Sequence, residues 1–436
     1  MKKLERARWN YNMLLILLVS LALLLIMSVP IAVAVGLSSL LAIMFGSDLP
    51  LSVVTQKIFT SIDSFPLMAI PFFIFAGTLM EQGGIAKRLV RFANALVGRF
   101  TGGLGMVVVV TAMFFGAISG SGIATTAALG SILIPAMIKK GYDKSYAGAL
   151  QATAGELGVI IPPSVSMILF GVAASVSIGD LFIAGILPGI LIAVSLLIGV
   201  FILSKIKGYK GETDLPKGEI WAAFKDATLA LLMPIIILGG IYGGVFTPTE
   251  AAAVAVAYSF IVGTFVYKEI KIKNLLEILS RSVMSTSIVM FIIANAGLFA
   301  WVLTREAVPQ KMALFFGSVT ESPIVFLLII NIMLLVVGMF FDGSVAIIIL
   351  APLLTPIAVS MGIDPIHFGM IMITNLAVGM CTPPLGVNLF VSCQIAGIRL
   401  EQITKAILPF VFILIIDVMI ISYVPAISTF LVHLFR

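Results

Sequence analysis

Two short stretches combine residues that apolar helices avoid: Gly158-Val-Ile-Ile-Pro-Pro-Ser164 and Gly379-Met-Cys-Thr-Pro-Pro-Leu-Gly386. A double proline inside an apolar helix withholds two N–H donors, clashes with the preceding turn and pushes the residue before it out of the α region. The helix must unwind there. Unwound backbone at membrane depth persists only where it lines a cavity or is buried in protein. Carbonyls freed at the end of the first half-helix suit a hard cation such as Na+. N–H groups opening the second half suit an anion. Proline kinks that serve packing alone are the plain alternative, and two matched breaks in one chain count against it.

Two further stretches carry small polar or ionisable groups. Phe115-Gly-Ala-Ile-Ser-Gly-Ser-Gly122 sets Ser119 and Ser121 beside glycines, and Gly338-Met-Phe-Phe-Asp342-Gly343 holds a carboxylate. An ionisable residue in so apolar a stretch is costly and marks function, unless it caps a helix end in a wet loop. Glu156, Ser164, Ser166, Thr382 and Asn388 are the other polar groups near the breaks. Glu250, in Thr247-Pro-Thr-Glu250, reads as a cap for the Ala-rich helix that follows. Asp417 stands alone in apolar sequence, and nothing around it explains it. No Lys or Arg falls inside either break, so an anionic ligand would be held by half-helix N-termini, hydroxyls and a co-bound cation.

Enzyme chemistry finds no support. A serine nucleophile in the Gly-Ser-Gly stretch would need a histidine base, and the two histidines, His367 and His433, fall in a loop and near the C-terminus. There is no Walker A sequence. Cys381 and Cys393 have neither disulfide nor metal-ligand spacing.

The elements around these residues are transmembrane. The chain is 61% hydrophobic and 11% charged, against about 25% charged in soluble domains. Apolar runs long enough for a bilayer core recur from end to end. The net charge of +6 is gathered in clusters at Lys2–Arg8, Lys87–Arg99, Lys139–Lys144, Lys205–Lys217 and Lys268–Lys273. That is the signature of cytoplasmic loops, not of a nucleic-acid surface. The apolar N-terminal stretch continues past Val29-Pro30 to Phe45, so it reads as a retained first helix and not as a cleaved signal.

An internal repeat organises the chain. Residues 122–164 laid on residues 343–385 match Gly122 with Gly343, Pro135 with Pro356, Gly141 with Gly362, Asp143 with Asp364, Gly148 with Gly369, Gly158 with Gly379 and Pro162-Pro163 with Pro383-Pro384. Ser121 falls opposite Asp342. The loop Lys139-Lys-Gly-Tyr-Asp-Lys144 is basic, whereas its counterpart Met361–His367 has no Lys or Arg. The two loops therefore belong on opposite faces, as inverted-topology repeats require.

The expected fold is an all-α polytopic membrane protein with two inverted repeats, each a re-entrant helical hairpin followed by a broken helix. Spans are expected at 11–46, 64–80, 181–204, 226–246, 249–267, 283–304 and 405–431, with surface helices over Ala86–Arg99 and 305–320. Hairpins fall at 104–138 and 322–359, and broken helices at 145–176 and 366–397. The units are 1–102 (scaffold and first arm), 103–180 (first transport repeat), 181–321 (scaffold and second arm), 322–400 (second transport repeat) and 401–436 (last helix). The N-terminus is expected to be cytoplasmic.

Gly120-Ser-Gly-Ile-Ala-Thr-Thr-Ala-Ala-Leu-Gly130, Gly141-Tyr-Asp, Leu157–Ser164, Ala184-Gly-Ile-Leu-Pro-Gly189, Pro248-Thr-Glu-Ala-Ala-Ala253, Gly362–Gly369 and Thr382-Pro-Pro-Leu-Gly386 resemble the large membrane subunit of TRAP transporters, the tripartite ATP-independent periplasmic family. As a whole the chain looks most like the sialic-acid branch. The resemblance implies an elevator-type symporter in a bacterial inner membrane. It implies Na+-driven import of a carboxylate-bearing anion, sialic acid ahead of C4-dicarboxylates. The partners it implies are a small four-helix membrane subunit and a soluble periplasmic substrate-binding protein. It also implies at least two Na+ sites, one at Ser119, Gly158, Ile161 and Pro163, the other at Asp342, Gly379, Thr382 and Pro384. Ser121, Ser164 and Ser166 are the candidates for the substrate carboxylate. A stand-alone sodium–anion symporter of similar architecture and a passive channel are the rival readings; the repeat favours a carrier over a channel.

Overall fold

A computed structural model describes residues 2–211, 216, 218–320 and 322–435. Part of the Lys205–Lys217 cluster, residues 212–215 and 217, lies outside the described residues. Among those described there is no strand, and nine helices are long and apolar enough to cross a membrane.

The hairpins form as expected, Gly103–Ser119 with Gly122–Lys139 and Pro323–Phe340 with Gly343–Ser360. The broken helices follow. The first is Lys144–Gly155, Leu157–Ile160 and, after the double proline, Val165–Ala173; its two halves are bent by 46°. The second is Pro365–Met380 and Val387–Ala396. Both Pro-Pro peptide bonds are cis.

These broken helices are the innermost elements. Every residue from Ile366 to Met380 is buried, as is every residue from Tyr146 to Ile160. Small residues at Ala147, Gly148, Ala149, Ala152, Ala154 and Gly155 let neighbouring helices approach closely, as membrane packing requires.

The two repeats interlock. The second limb of each hairpin packs on the outer half of the other copy's broken helix, Gly122–Lys139 on Val387–Ala396 and Gly343–Ser360 on Val165–Ala173.

The sequence match at 122–164 turns out to be the visible part of a repeat that covers the chain. Moved on by 221 residues, Ile31–Gly46 falls on Pro248–Ile261, Ile85–Val97 on Val308–Val319 and Ile178–Lys207 on Leu400–Tyr423. Ser52–Ile62 with Ala69–Gln82 falls on the single long helix Ile272–Arg305.

Three expectations need correction. Residues 11–46 are not one span but two packed helices, Lys2–Ile26 and Ile31–Gly46. Pro30 excludes Val29 from the α region, and Ser28 turns the chain with φ +60°. Gly46 then lies against Met13: a Cβ there would sit 2.6 Å from the Met13 Cα. The helix Ser52–Ile62 was not foreseen. The last span ends at Tyr423, ahead of Pro425, and a separate helix Ala426–Phe435 completes the chain.

The first arm, Ile85–Val97, buries Ile85, Leu89 and Phe92 on one face. Its basic face is tied to the helices beside it. Arg91 Nε donates to Glu219 Oε1 at 2.7 Å, and Arg88 Nε to Asp226 Oδ1 at 3.3 Å. The Arg88 guanidinium lies 3.8 Å from the Tyr267 ring centroid.

Candidate ion and substrate site

In each copy the hairpin's first limb meets the broken helix through a pair of glycines. A Cβ on Gly116 would lie 2.9 Å from the Gly158 Cα, and one on Gly338 would lie 2.9 Å from the Gly379 Cα. Each contact brings a hairpin tip onto a helix break. In the first copy Val165 N–H donates to the Gly120 carbonyl at 3.2 Å; in the second, Gly386 N–H donates to the Met339 carbonyl at 3.2 Å. Gly120 turns the first tip with φ +61°, a conformation glycine adopts at no steric cost.

The first break gathers oxygens. Ser119 Oγ lies 2.7 Å from Thr125 Oγ1 and 3.3 Å from the Ser121 carbonyl, to which it donates. A Cβ on Gly158 would fall 2.7 Å from that carbonyl. Pro162 and Pro163 have no N–H to offer the carbonyls of Gly158 and Val159. Ser164 is buried and its hydroxyl has no protein partner. Ser166 is buried one residue into Val165–Ala173. Ile161 and Pro163 flank the break, Ile161 half-buried and Pro163 buried with its carbonyl toward Gly120. Hydroxyl and carbonyl oxygens of this kind fit a hard monovalent cation, and residues 158–166 contain no Lys or Arg.

The second break is built differently. Thr382 Oγ1 donates to the Val378 carbonyl at 2.6 Å, and its N–H donates to the Gly379 carbonyl at 2.9 Å. Pro384 and Leu385 are exposed, so this break opens to a surface where the first is enclosed. Asp342 is half-buried and is the N-cap of Gly343–Ser360, accepting from Ser344 N–H at 2.9 Å. Its counterpart Ser121 caps Gly122–Lys139, accepting from Ala124 N–H at 3.4 Å. Capping therefore accounts for one acceptor position of Asp342 and leaves the rest of the carboxylate free.

Between the breaks lies a pair whose role sequence reasoning did not assign. Glu156 Oε1 accepts from Asn388 Nδ2 at 2.7 Å, joining the two broken helices, and both residues are fully buried. Glu156 Oε2 and Asn388 Oδ1 have no protein partner. Thr125 was also missed. Only its spacing from Ser119, six residues across a tight tip, could have found it. Asp417, unexplained in sequence, accepts from Ser195 Oγ at 2.7 Å and so ties Leu400–Tyr423 to its repeat partner Ile178–Lys207.

The glycine contacts give a direct prediction. Gly379→Ala would place a Cβ 2.5 Å from the Gly338 Cα and 2.6 Å from its carbonyl carbon, overpacking that costs about 1–3 kcal/mol. The expected result is a lowered thermal midpoint in detergent. Gly239→Ala, where nothing lies within 4 Å of the new Cβ, should leave it unchanged.

Hairpin tips docked onto helix breaks in two interlocked copies define a polytopic membrane carrier. The family model described as "Tripartite ATP-independent periplasmic transporter, DctM component" matches residues 18–427, and the chain belongs to that family. The C4-dicarboxylate TRAP transporter large permease protein of Pseudomonas aeruginosa is 44% identical over 393 residues, 90% of this chain and 92% of that one. The isethionate TRAP transporter permease protein of Oleidesulfovibrio alaskensis is 44% identical over 91% of this chain, which spans 62% of that longer protein. The sialic acid TRAP transporter large permease protein of Vibrio cholerae is 38% identical over 87% of this chain and 89% of that one. Among solved structures, the YdaH transporter of Alcanivorax borkumensis shares the fold, with a TM-score of 0.63 at 16% identity over 85% of this chain and 88% of that one. The relatives are permease subunits, and the chain is not an enzyme.

Proposed function

We propose that the chain is the translocation subunit of a Na+-coupled importer of a small organic acid anion in a bacterial inner membrane. The observation that carries the reading is the docking of each hairpin tip on a helix break, by Val165–Gly120 in one copy and Gly386–Met339 in the other. One Na+ sits among Ser119, Gly158, Ile161 and Pro163, and a second near Asp342, Gly379, Thr382 and Pro384. The substrate carboxylate meets Ser121, Ser164 and Ser166, with the co-bound cations supplying the countercharge that no Lys or Arg provides. The interlocked hairpins and broken helices move as one body against the arms and outer helices, an elevator step. A small membrane subunit and a soluble periplasmic binding protein complete the machine, and the binding protein delivers the substrate.

The substrate reading moves away from sialic acid. The relatives named for C4-dicarboxylates range from 38% to 44% identity and the one named for isethionate stands at 44%, whereas those named for sialic acid stand at 38–39%. A short carboxylate or sulfonate is favoured. Proteoliposomes holding the chain and its small subunit should take up radiolabelled succinate or isethionate only when the cognate binding protein is present. Uptake at full rate without it would favour the stand-alone symporter.

The orientation also follows from the corrected helix count. Lys139–Lys144 and Lys268–Lys273 are assigned to the cytoplasm by their charge. If the N-terminal helix pair returns the chain to the face it left and residues 52–82 cross once, the count favours an N-terminus outside, against the cytoplasmic placement expected from the Lys2–Arg8 cluster. Single cysteines introduced at Gly141 and Gly362 should react with an impermeant maleimide from opposite sides of the membrane, and one at Asn10 should follow Gly362. Reaction of Gly141 and Gly362 from one side would remove the inverted repeat.

A further inference from the structure

The repeat builds a cavity at each end of the molecule, and only one of them is basic. The first, about 470 Å³, is lined by Lys140, Tyr142, Lys207, Tyr209 and Lys210, where the hairpin loop meets the end of Ile178–Lys207. The second, about 390 Å³, is lined at the matching positions by Met361 and Ile363 in place of Lys140 and Tyr142, with no Lys or Arg among its described lining residues. Ser428 stands where Lys207 would recur. The fold thus makes the cavity without needing the lysines. Charge bias on cytoplasmic loops explains lysines in the loops, but it does not explain their convergence on one walled cavity.

The walls are rigid. The Tyr142 and Tyr209 rings stack with centroids 4.1 Å apart, and Tyr209 OH accepts from Asp143 N–H at 3.1 Å. Tyr209 is further held by its backbone, with its N–H on the Ser204 carbonyl and its carbonyl accepting from Gly102 N–H. The nearby Asp143 carboxylate is turned to Tyr146 N–H at 3.0 Å. Lys207, whose ammonium lies 5.7 Å from the Tyr146 ring centroid, and Lys210 line this aromatic wall, a combination that suits a phosphate ester.

A lipid source is favoured by what leads up to the cavity. On the helix that ends at Lys207, Ile190, Val194, Ile198, Ile202 and Ile206 recur every four residues and are 46%, 47%, 55%, 51% and 76% exposed. This apolar track points at the bilayer and ends beside the lysines, as a bound acyl chain and headgroup would.

We propose that Lys207 and Lys210 bind the phosphate of an anionic phospholipid headgroup at the cytoplasmic end of the chain. Basic pockets between helices on that side are suited to anionic headgroups. The site ties the hairpin loop to the end of Ile178–Lys207, so lipid occupancy steadies that joint.

The test is the thermal unfolding midpoint of the full chain in detergent with added phosphatidylglycerol, with phosphatidylcholine, or with phosphatidylcholine plus millimolar inorganic phosphate. Binding to the folded state should raise the midpoint by about 3 °C or more with phosphatidylglycerol alone. The double variant Lys207→Gln/Lys210→Gln should lose that rise, while Lys271→Gln/Lys273→Gln, with the same loss of charge elsewhere, should keep it. An equal rise in the pocket variant, or none in the native chain, overturns the proposal. A rise with inorganic phosphate overturns the lipid assignment in favour of a soluble phosphate. Should the double variant not survive purification, Lys207→Gln alone is read by the same criteria. Failure of Na+-driven uptake would leave this result standing, since the readout is lipid binding and not transport.

Discussion

Asp342→Asn is expected to raise the Na+ concentration for half-maximal uptake by tenfold to a hundredfold, with the maximal rate partly regained at high Na+. Asn is as good an N-cap as Asp, so the bond to Ser344 N–H survives and the fold should keep its thermal midpoint. What disappears is a formal charge near the second break. A unit pair 4 Å apart at an effective dielectric of ~20 is worth about 4 kcal/mol. Desolvation of the pair takes back part of this, leaving the one to two decades expected. The matched change Ser121→Ala removes a hydroxyl and no charge, so it should weaken substrate more than Na+. If Asp342 only caps its helix, the Na+ curve of the Asn variant will overlay that of the native chain.

Replacing Pro162-Pro163 or Pro383-Pro384 with Ala-Ala should have the largest effect on transport. Each proline disfavours helix interior by about 3 kcal/mol relative to Ala, so either double variant regains continuous helix through its break. Continuous helix re-forms i→i−4 bonds to the carbonyls of Gly158 and Val159, or of Gly379 and Met380, and withdraws them from a cation. It also moves Val165 or Gly386 off the hairpin tip that each now contacts. Uptake should fall to about a tenth or less, because displacements near 1 Å defeat a positioned site, while expression holds or improves. Normal uptake in both variants would mean that the breaks are packing kinks.

How far the sequence reveals this molecule depends on which residues have no alternative conformation. Double prolines in apolar helix can only break it, so both broken helices were legible, and the hairpins with them, since Gly120 and Gly343 mark the tips. The lysines of 139–144 made the inversion legible. The split at Ser28–Pro30 was not, because a single proline after a small residue is compatible with a kinked span. What decides for a hairpin is the distant contact of Gly46 with Met13. The full extent of the repeat was hidden because outside 122–164 the two copies share only short runs, Ala32-Val-Ala-Val35 with Ala253-Val-Ala-Val256 and Ile186-Leu-Pro188 with Ile407-Leu-Pro409, of residue types common in any apolar helix. Within the site, Ser119, Gly158 and Asp342 stood out by type. Thr125, the Glu156–Asn388 bridge and the Gly116–Gly158 and Gly338–Gly379 approaches depend on pairings between elements far apart in sequence, which residue type alone does not encode.

The central claim, two cation sites made by two inverted breaks, is tested most directly by the Na+ dependence of initial uptake in proteoliposomes supplied with the binding protein and a labelled organic acid. Coupling through both breaks predicts no uptake without a Na+ gradient and a sigmoidal rise with Na+, its Hill coefficient between about 1 and 2 for two interacting sites. Uptake that is indifferent to Na+ would contradict it.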